Sequence, residues 1–108
     1  MTITVGTTPT IIFNNFQIVR VGEIADAVLT IKQGGMYSRS VLIKRDLSTA
    51  EVSATEIAWT LTQEKTLTLD PKAQAQICMN FLTASGLRGT SKIVNCYVED
   101  NPLKEVMS

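Results

Sequence analysis

From Ile57 to Thr62 the side chains alternate without a break, with Ile57, Trp59 and Leu61 on one phase and Ala58, Thr60 and Thr62 on the other. A period of two places successive residues on opposite sides of an extended chain, so this stretch predicts a strand with one buried face. Trp59 is the only tryptophan, and a ring of that size anchors the core it enters. The alternation stops at Thr62-Gln63-Glu64-Lys65. Thr62 is placed to cap a single helical turn, with Glu64 near its positive end. A central strand, a polar turn and a return make this segment the hinge of a β-sandwich.

The same period recurs along the chain. Ala73–Leu82 alternates throughout, with Ala73, Ala75, Ile77, Met79 and Phe81 inward and Gln74, Gln76, Cys78, Asn80 and Leu82 outward. Ala27–Lys32 repeats it, with Ala27, Leu29 and Ile31 inward and Val28, Thr30 and Lys32 outward. Gly34-Gly35 then permits positive φ at both centres of a tight turn, so Tyr37–Arg45 is expected to return with Tyr37, Val41 and Ile43 inward. Pro9 lacks an amide donor, which makes Thr8–Asn14 an edge strand with Ile11 and Phe13 inward. Ser91–Glu99 reads as the closing strand, its inward set Val94, Cys96 and Val98, before Asn101-Pro102 stops it.

Other segments are less regular. Phe16–Ile24 fits neither template; Gly22 marks a turn and Glu23–Asp26 a loose helical turn. Asp46–Thr55 contains two Ser-x-x-Glu patterns, Ser48…Glu51 and Ser53…Glu56, but is expected to be a short irregular strand rather than a helix. Asp70-Pro71 and Ala84-Ser85-Gly86 are turns. Six or seven short strands, by this count, with turn signals between them predict an all-β, antiparallel sandwich over residues 1–102, followed by a frayed tail over 103–108.

Chemistry is sparse. Histidine is absent, which removes the commonest general base and metal ligand. There is no glycine-rich phosphate loop and no Cys-x-x-Cys. With 10 basic and 10 acidic residues the formal charge is zero, against a nucleic-acid partner bound through phosphates. The start MTITVGTTPT carries no signal-peptide pattern, and no apolar window is long enough to cross a bilayer. Cys78 and Cys96 are expected to be unpaired thiols in a reducing cytosol. Glu99-Asp100 reads as a solvated turn rather than half a calcium site. Lys32, Arg39, Lys44, Arg45, Arg88 and Lys92 read as solubilising charges, and Trp59 and Tyr97 as core aromatics. No enzyme, cofactor, metal, nucleic acid or membrane is expected. The remaining signal is that Ile12, Val28, Leu42 and Leu82 all fall on outward phases, where a cluster marks a contact surface.

Several short motifs carry a resemblance. They are Gly6-Thr7-Thr8-Pro9-Thr10, Thr30-Ile31-Lys32-Gln33-Gly34, Leu61-Thr62-Gln63-Glu64-Lys65-Thr66-Leu67, Ala75-Gln76-Ile77 and Ser91-Lys92-Ile93-Val94. With them the chain resembles a family of small proteins encoded in the structural-gene region of tailed bacteriophages and prophages of Gram-positive bacteria. The first strand, the Leu-Thr-Gln-Glu turn and the strand after it are similar to the N-terminal domain of phage baseplate upper proteins, which is Ig-like. Asn14–Ile24 and Leu47–Thr55 depart from the pattern.

The resemblance implies an antiparallel Ig-like β-sandwich of about seven short strands with one short helical turn. It also implies a non-enzymatic structural or assembly component of a tail or baseplate. Such a chain contacts other phage structural proteins and copies of itself, in the host cytoplasm during assembly and then in the virion. The alternative is a free-standing Ig-like module that binds a carbohydrate or peptide.

Overall fold

The computed structural model describes residues 1–14, 21–35, 38–71 and 73–107. In chain order the elements are β1 (Thr2–Thr4), β2 (Thr10–Phe13), β3 (Ile24–Gly35), β4 (Ser38–Asp46), β5 (Glu51–Val52), β6 (Ile57–Thr60), α1 (Gln63–Leu67), β7 (Ala75–Thr83), β8 (Arg88–Thr90) and β9 (Val94–Glu99). Short 3-10 turns at Val21–Glu23 and Leu47–Thr49 precede β3 and β5. The protein is mostly β. One six-stranded sheet runs β1-β9-β7-β3-β4 with β8 also on β7, and a three-stranded sheet runs β2-β6-β5.

The alternating segments become strands with the expected faces. Ala27, Leu29 and Ile31 of β3 and Ala75, Ile77 and Met79 of β7 are buried, as are Ile57, Trp59 and Leu61 around β6. These residues from both sheets form one hydrophobic cluster with Ile3, Ile11, Ile43, Cys96 and Val98. Trp59 ties the sheets together. Its indole Nε1 donates to the Asp46 carbonyl at 2.8 Å, and Phe13 of β2 meets its ring edge-on at 5.9 Å. The hinge forms as its sequence directs: Thr62 Oγ1 accepts the Lys65 amide at 3.2 Å and caps α1. Buried Thr66 then donates to the Thr7 carbonyl at 2.8 Å, which anchors the turn to the chain leaving β1.

Five expectations are corrected. The large sheet is mixed, because β1 lies parallel to β9 (Thr2↔Tyr97, Ile3↔Val98, Thr4↔Glu99). Ile3 and Val98 are both buried in that pair, so the core selects the register. Gly34 and Gly35 do not centre the hairpin: both belong to β3 and Gly35 pairs with Ser38, while residues 36 and 37 lie outside the described residues. Tyr37 therefore lies outside them too, as does the Val41 side chain. Val94 is 41% exposed rather than inward, and Tyr97 is 64% exposed rather than packed in the core. Tyr97 lies on the opposite phase to Cys96 and Val98, whereas Val94 shares their phase but opens β9 and lines a crevice with Met1, Ile12 and Phe13. The helical turn expected at Glu23–Asp26 instead occupies Val21–Glu23, and Ile24 already belongs to β3.

In the ambiguous segment, Ser53…Glu56 uses its capping geometry without a helix. Ser53 Oγ accepts the Glu56 amide at 3.0 Å while the Ser53 amide donates to the Glu56 carbonyl, closing the β5–β6 turn. The chain's end, expected to fray, returns to α1: the Gln63 side-chain amide donates to the Met107 carbonyl at 3.0 Å and accepts the Met107 amide at 2.8 Å.

Candidate interaction surface

The four outward apolar residues do not form one patch. Val28, Leu42 and Leu82 stand on the outward face of the large sheet, where pairings fix their neighbours. Leu82 is opposite Asp26, Val28 lies between Asn80 and Asp46, and Leu42 is opposite Lys32. Leu82 and Val28 are therefore diagonal neighbours, within side-chain reach, and Leu42 is further along the strands. Leu42 is 60% and Leu82 43% exposed. Val28, flanked by a strand on each side, is half-buried. Ile12, 51% exposed, belongs to β2 and hence to the other sheet. It borders a separate crevice of about 360 Å³ with Met1, Phe13, Ile77, Lys92 and Val94, where the free edge of β2 faces the start of β9.

The face holding Val28 and Leu82 is hollowed into a groove of about 470 Å³, flanked by Asp26, Thr30, Lys44, Asn80 and Arg88. Arg88 reaches across to Asn80 Oδ1 at 3.3 Å. Asp26 Oδ1 accepts the Ala27 amide at 2.9 Å, and Asp46 Oδ1 accepts Ser48 Oγ at 2.6 Å. Among the described residues, Lys32, Lys44, Asp26 and Asp46 form no ion pair; the pair there joins Lys104 to Asp100 in the tail.

The basic residues divide by phase. Lys32, Lys44 and Arg88 share the outward face, whereas Arg45 pairs with buried Leu29 and sits on the core-facing phase of an edge strand. An inward charge at that position blocks pairing with another edge. Its Nε is buried without a hydrogen-bond partner among the described residues. Lys92 stands apart at the Ile12 crevice, and the Arg39 side chain is outside the described residues.

The expected turn at Glu99-Asp100 is engaged locally. Thr4 Oγ1 donates to Glu99 Oε2 at 3.3 Å and the Asn101 amide donates to Asp100 Oδ1 at 2.9 Å. Among the described residues no cluster of three or more His, Cys, Asp or Glu side chains is arranged to hold a metal. No helix among them is long and apolar enough to cross a membrane.

Both cysteines are free thiols, Cys96 buried and Cys78 half-buried on the outward face. Burial pushes the Cys96 thiol up from its ordinary pKa, partly opposed by the positive chain terminus and an Ile3 backbone hydrogen bond. A protonated, enclosed thiol reacts slowly. Titration of native protein with a thiol reagent should therefore label Cys78 fast and Cys96 only on unfolding. Because the folded pKa lies above the unfolded one, this site's contribution to stability is complete below the unfolded value of about 8.5 and is lost as pH rises through the folded value. A single fast phase labelling both thiols would contradict this placement.

Sequence phase located the outward apolar residues but missed the acidic ones beside them. Asp26 and Asp46 carry the same period-two signal as Val28 and Lys44, and following it one step further along β3 and β4 reveals them. Compared with known proteins, the chain matches no protein-family model and no curated sequence.

Proposed function

We propose that the chain is a non-enzymatic structural or assembly component of a tailed-phage or prophage particle, in the tail or baseplate region, working through protein–protein contacts. The observation that carries this reading is the gathering of Val28, Leu42 and Leu82 on one outward sheet face with unpaired charges of both signs. Apolar side chains ringed by charge are the composition of a contact surface rather than of a catalytic cleft. The resemblance to phage structural-region proteins supplies the kind of assembly, and two sheets sharing one core support an Ig-like variant of the sandwich. Its partners are then other structural proteins, met in the host cytoplasm and retained in the virion.

A second reading draws on the groove itself. Its polar groups Thr30, Asn80, Lys44 and Arg88 match what a carbohydrate or peptide module offers a ligand. Particles purified on a density gradient after prophage induction separate the two by mass spectrometry. The chain is expected at stoichiometric abundance in particles or assembly intermediates. Abundance in the lysate with absence from both sinks the structural reading and favours the free-standing module.

A further inference from the structure

On the outward side of β3 and β4, charge is ordered along the strands. Reading β3 in sequence gives Asp26, Val28, Thr30 and Lys32, acidic at one end and basic at the other. Its neighbour β4 runs antiparallel and reads Leu42, Lys44 and Asp46. The register places Lys44 beside Thr30 and Asp46 beside Val28. Both strands thus present their cations toward the Lys32 end and their anions toward the Asp26 end. All four charged side chains are exposed.

We propose that this face binds a second copy of the chain, turned end for end. The two-fold axis lies in the interface, perpendicular to the strands, and passes between Thr30 and Val28. That operation lays β3 on β3 and β4 on β4 with their directions reversed. Lys32 then faces Asp26 of the second copy and Lys44 faces Asp46 of the second copy, and by symmetry each pair occurs twice. Thr30 faces Val28 of the second copy, so the half-buried centre of the face becomes fully covered. Arg88, opposite Leu82 at the acidic end, meets Asn95, which the register places beside Gln76 at the basic end.

The molecule's form suits this packing. Its extents are 45 × 35 × 18 Å, so its broader sides are large enough for an interface of ordinary size. A stable interface needs about 800 Å² from each partner, a small part of the 7047 Å² surface. A copy in the same orientation would set Lys32 over Lys32 and Asp26 over Asp26, and like charges directly opposed repel and suppress that pairing. The charge order therefore selects the reversed arrangement, and the edge of β4 next to it is closed to pairing by inward Arg45.

This rests on the assembly reading above, for which it names the first partner. The test uses the full chain in sedimentation velocity over a concentration series. Wild type should pass from monomer to dimer, with the dimer weakened as salt is raised. The variants Lys32→Asp/Lys44→Asp and Asp26→Lys/Asp46→Lys should each raise the dimer dissociation constant by ~100-fold or more, since each leaves β3 and β4 with outward charges of one sign. An equimolar mixture of the two should restore a dimer containing one of each. Monomeric wild type at every concentration overturns the proposal, as does a dimer that survives in either variant alone or a mixture that fails to associate.

A cross-linking arm keeps the question open to refutation if a charge variant misfolds. In a Cys78→Ser background, Val28→Cys and Thr30→Cys chains are mixed with a short bis-maleimide. Cross-linked heterodimer in excess of either homodimer is expected, and no such excess overturns the geometry. A monomer in solution that is still found in particles defeats only this proposal; a dimer absent from particles defeats only the assembly reading.

Discussion

Trp59→Ala should cost about 3–5 kcal/mol of stability, a large share of the roughly 5–15 kcal/mol that holds a small domain folded. Three losses combine. The indole is 1% exposed, so its removal opens a cavity between the two sheets. The edge-on contact with Phe13 at 5.9 Å disappears, and the Asp46 carbonyl loses the donor it meets at 2.8 Å. Trp59→Phe separates them, keeping much of the packing while removing the donor, and should cost about 1–3 kcal/mol. Urea unfolding followed by far-UV circular dichroism measures both, with indole fluorescence of the wild type blue-shifted until the transition. A loss below about 1.5 kcal/mol for Trp59→Ala would mean that the sheets hold together without it.

Trp59 marks what the sequence makes legible. Strict alternation needs only local information, because a strand's two faces meet two different solvents, and β3, β6 and β7 were readable for that reason. The Thr62 cap was equally local: hydroxyl, spacing and amide lie within one turn. The misreadings share a different cause. Thr2–Thr4 carries an alternation, but its parallel pairing with β9 depends on chain ends that are far apart in sequence. Tyr97 alternates correctly with Cys96 and Val98, yet the sequence reading carries it into the core together with Trp59, whose own alternation is clean. Periodicity outranks residue type there, since phase is imposed by the backbone and size is not.

The contact face was legible by halves. Outward phase identified Val28, Leu42 and Leu82 but could not place Ile12 on a different sheet, because sheet membership is set by non-local pairing. The ordering of Asp26, Lys32, Lys44 and Asp46 appears only once the β3–β4 register is known.

Replacing Gln33 should rank beside Trp59 in effect, although nothing in its sequence context distinguishes it from a solvated residue near a turn. It is 1% exposed and occupies the core-facing phase of β3 beyond Ile31, where the apolar core ends and the loop leading into β7 crosses. Its Nε2 donates to the Asp70 carbonyl at 2.8 Å and the Ala73 carbonyl at 2.9 Å. Its Oε1 accepts the Asp70 amide at 2.7 Å. One side-chain amide thus serves three backbone groups that are far from it in sequence. Gln33→Met preserves length and volume but removes all three bonds. At about 1 kcal/mol each, the expected loss is ~3 kcal/mol, accompanied by faster hydrogen exchange at the Asp70 amide. Gln33→Glu keeps the acceptor yet turns both donors into a carboxylate facing two carbonyls. Burial and those carbonyls raise its folded pKa above the unfolded value of about 4.3. Its stability should consequently be greatest below that value, where a protonated oxygen restores one donor, and fall as pH rises through the folded pKa. Urea midpoints at acidic and neutral pH, with Gln33→Met as the reference that does not titrate at this position, read the sign directly. A Glu variant that gains stability on going to neutral pH relative to the Met variant would show that the amide does not hold this loop.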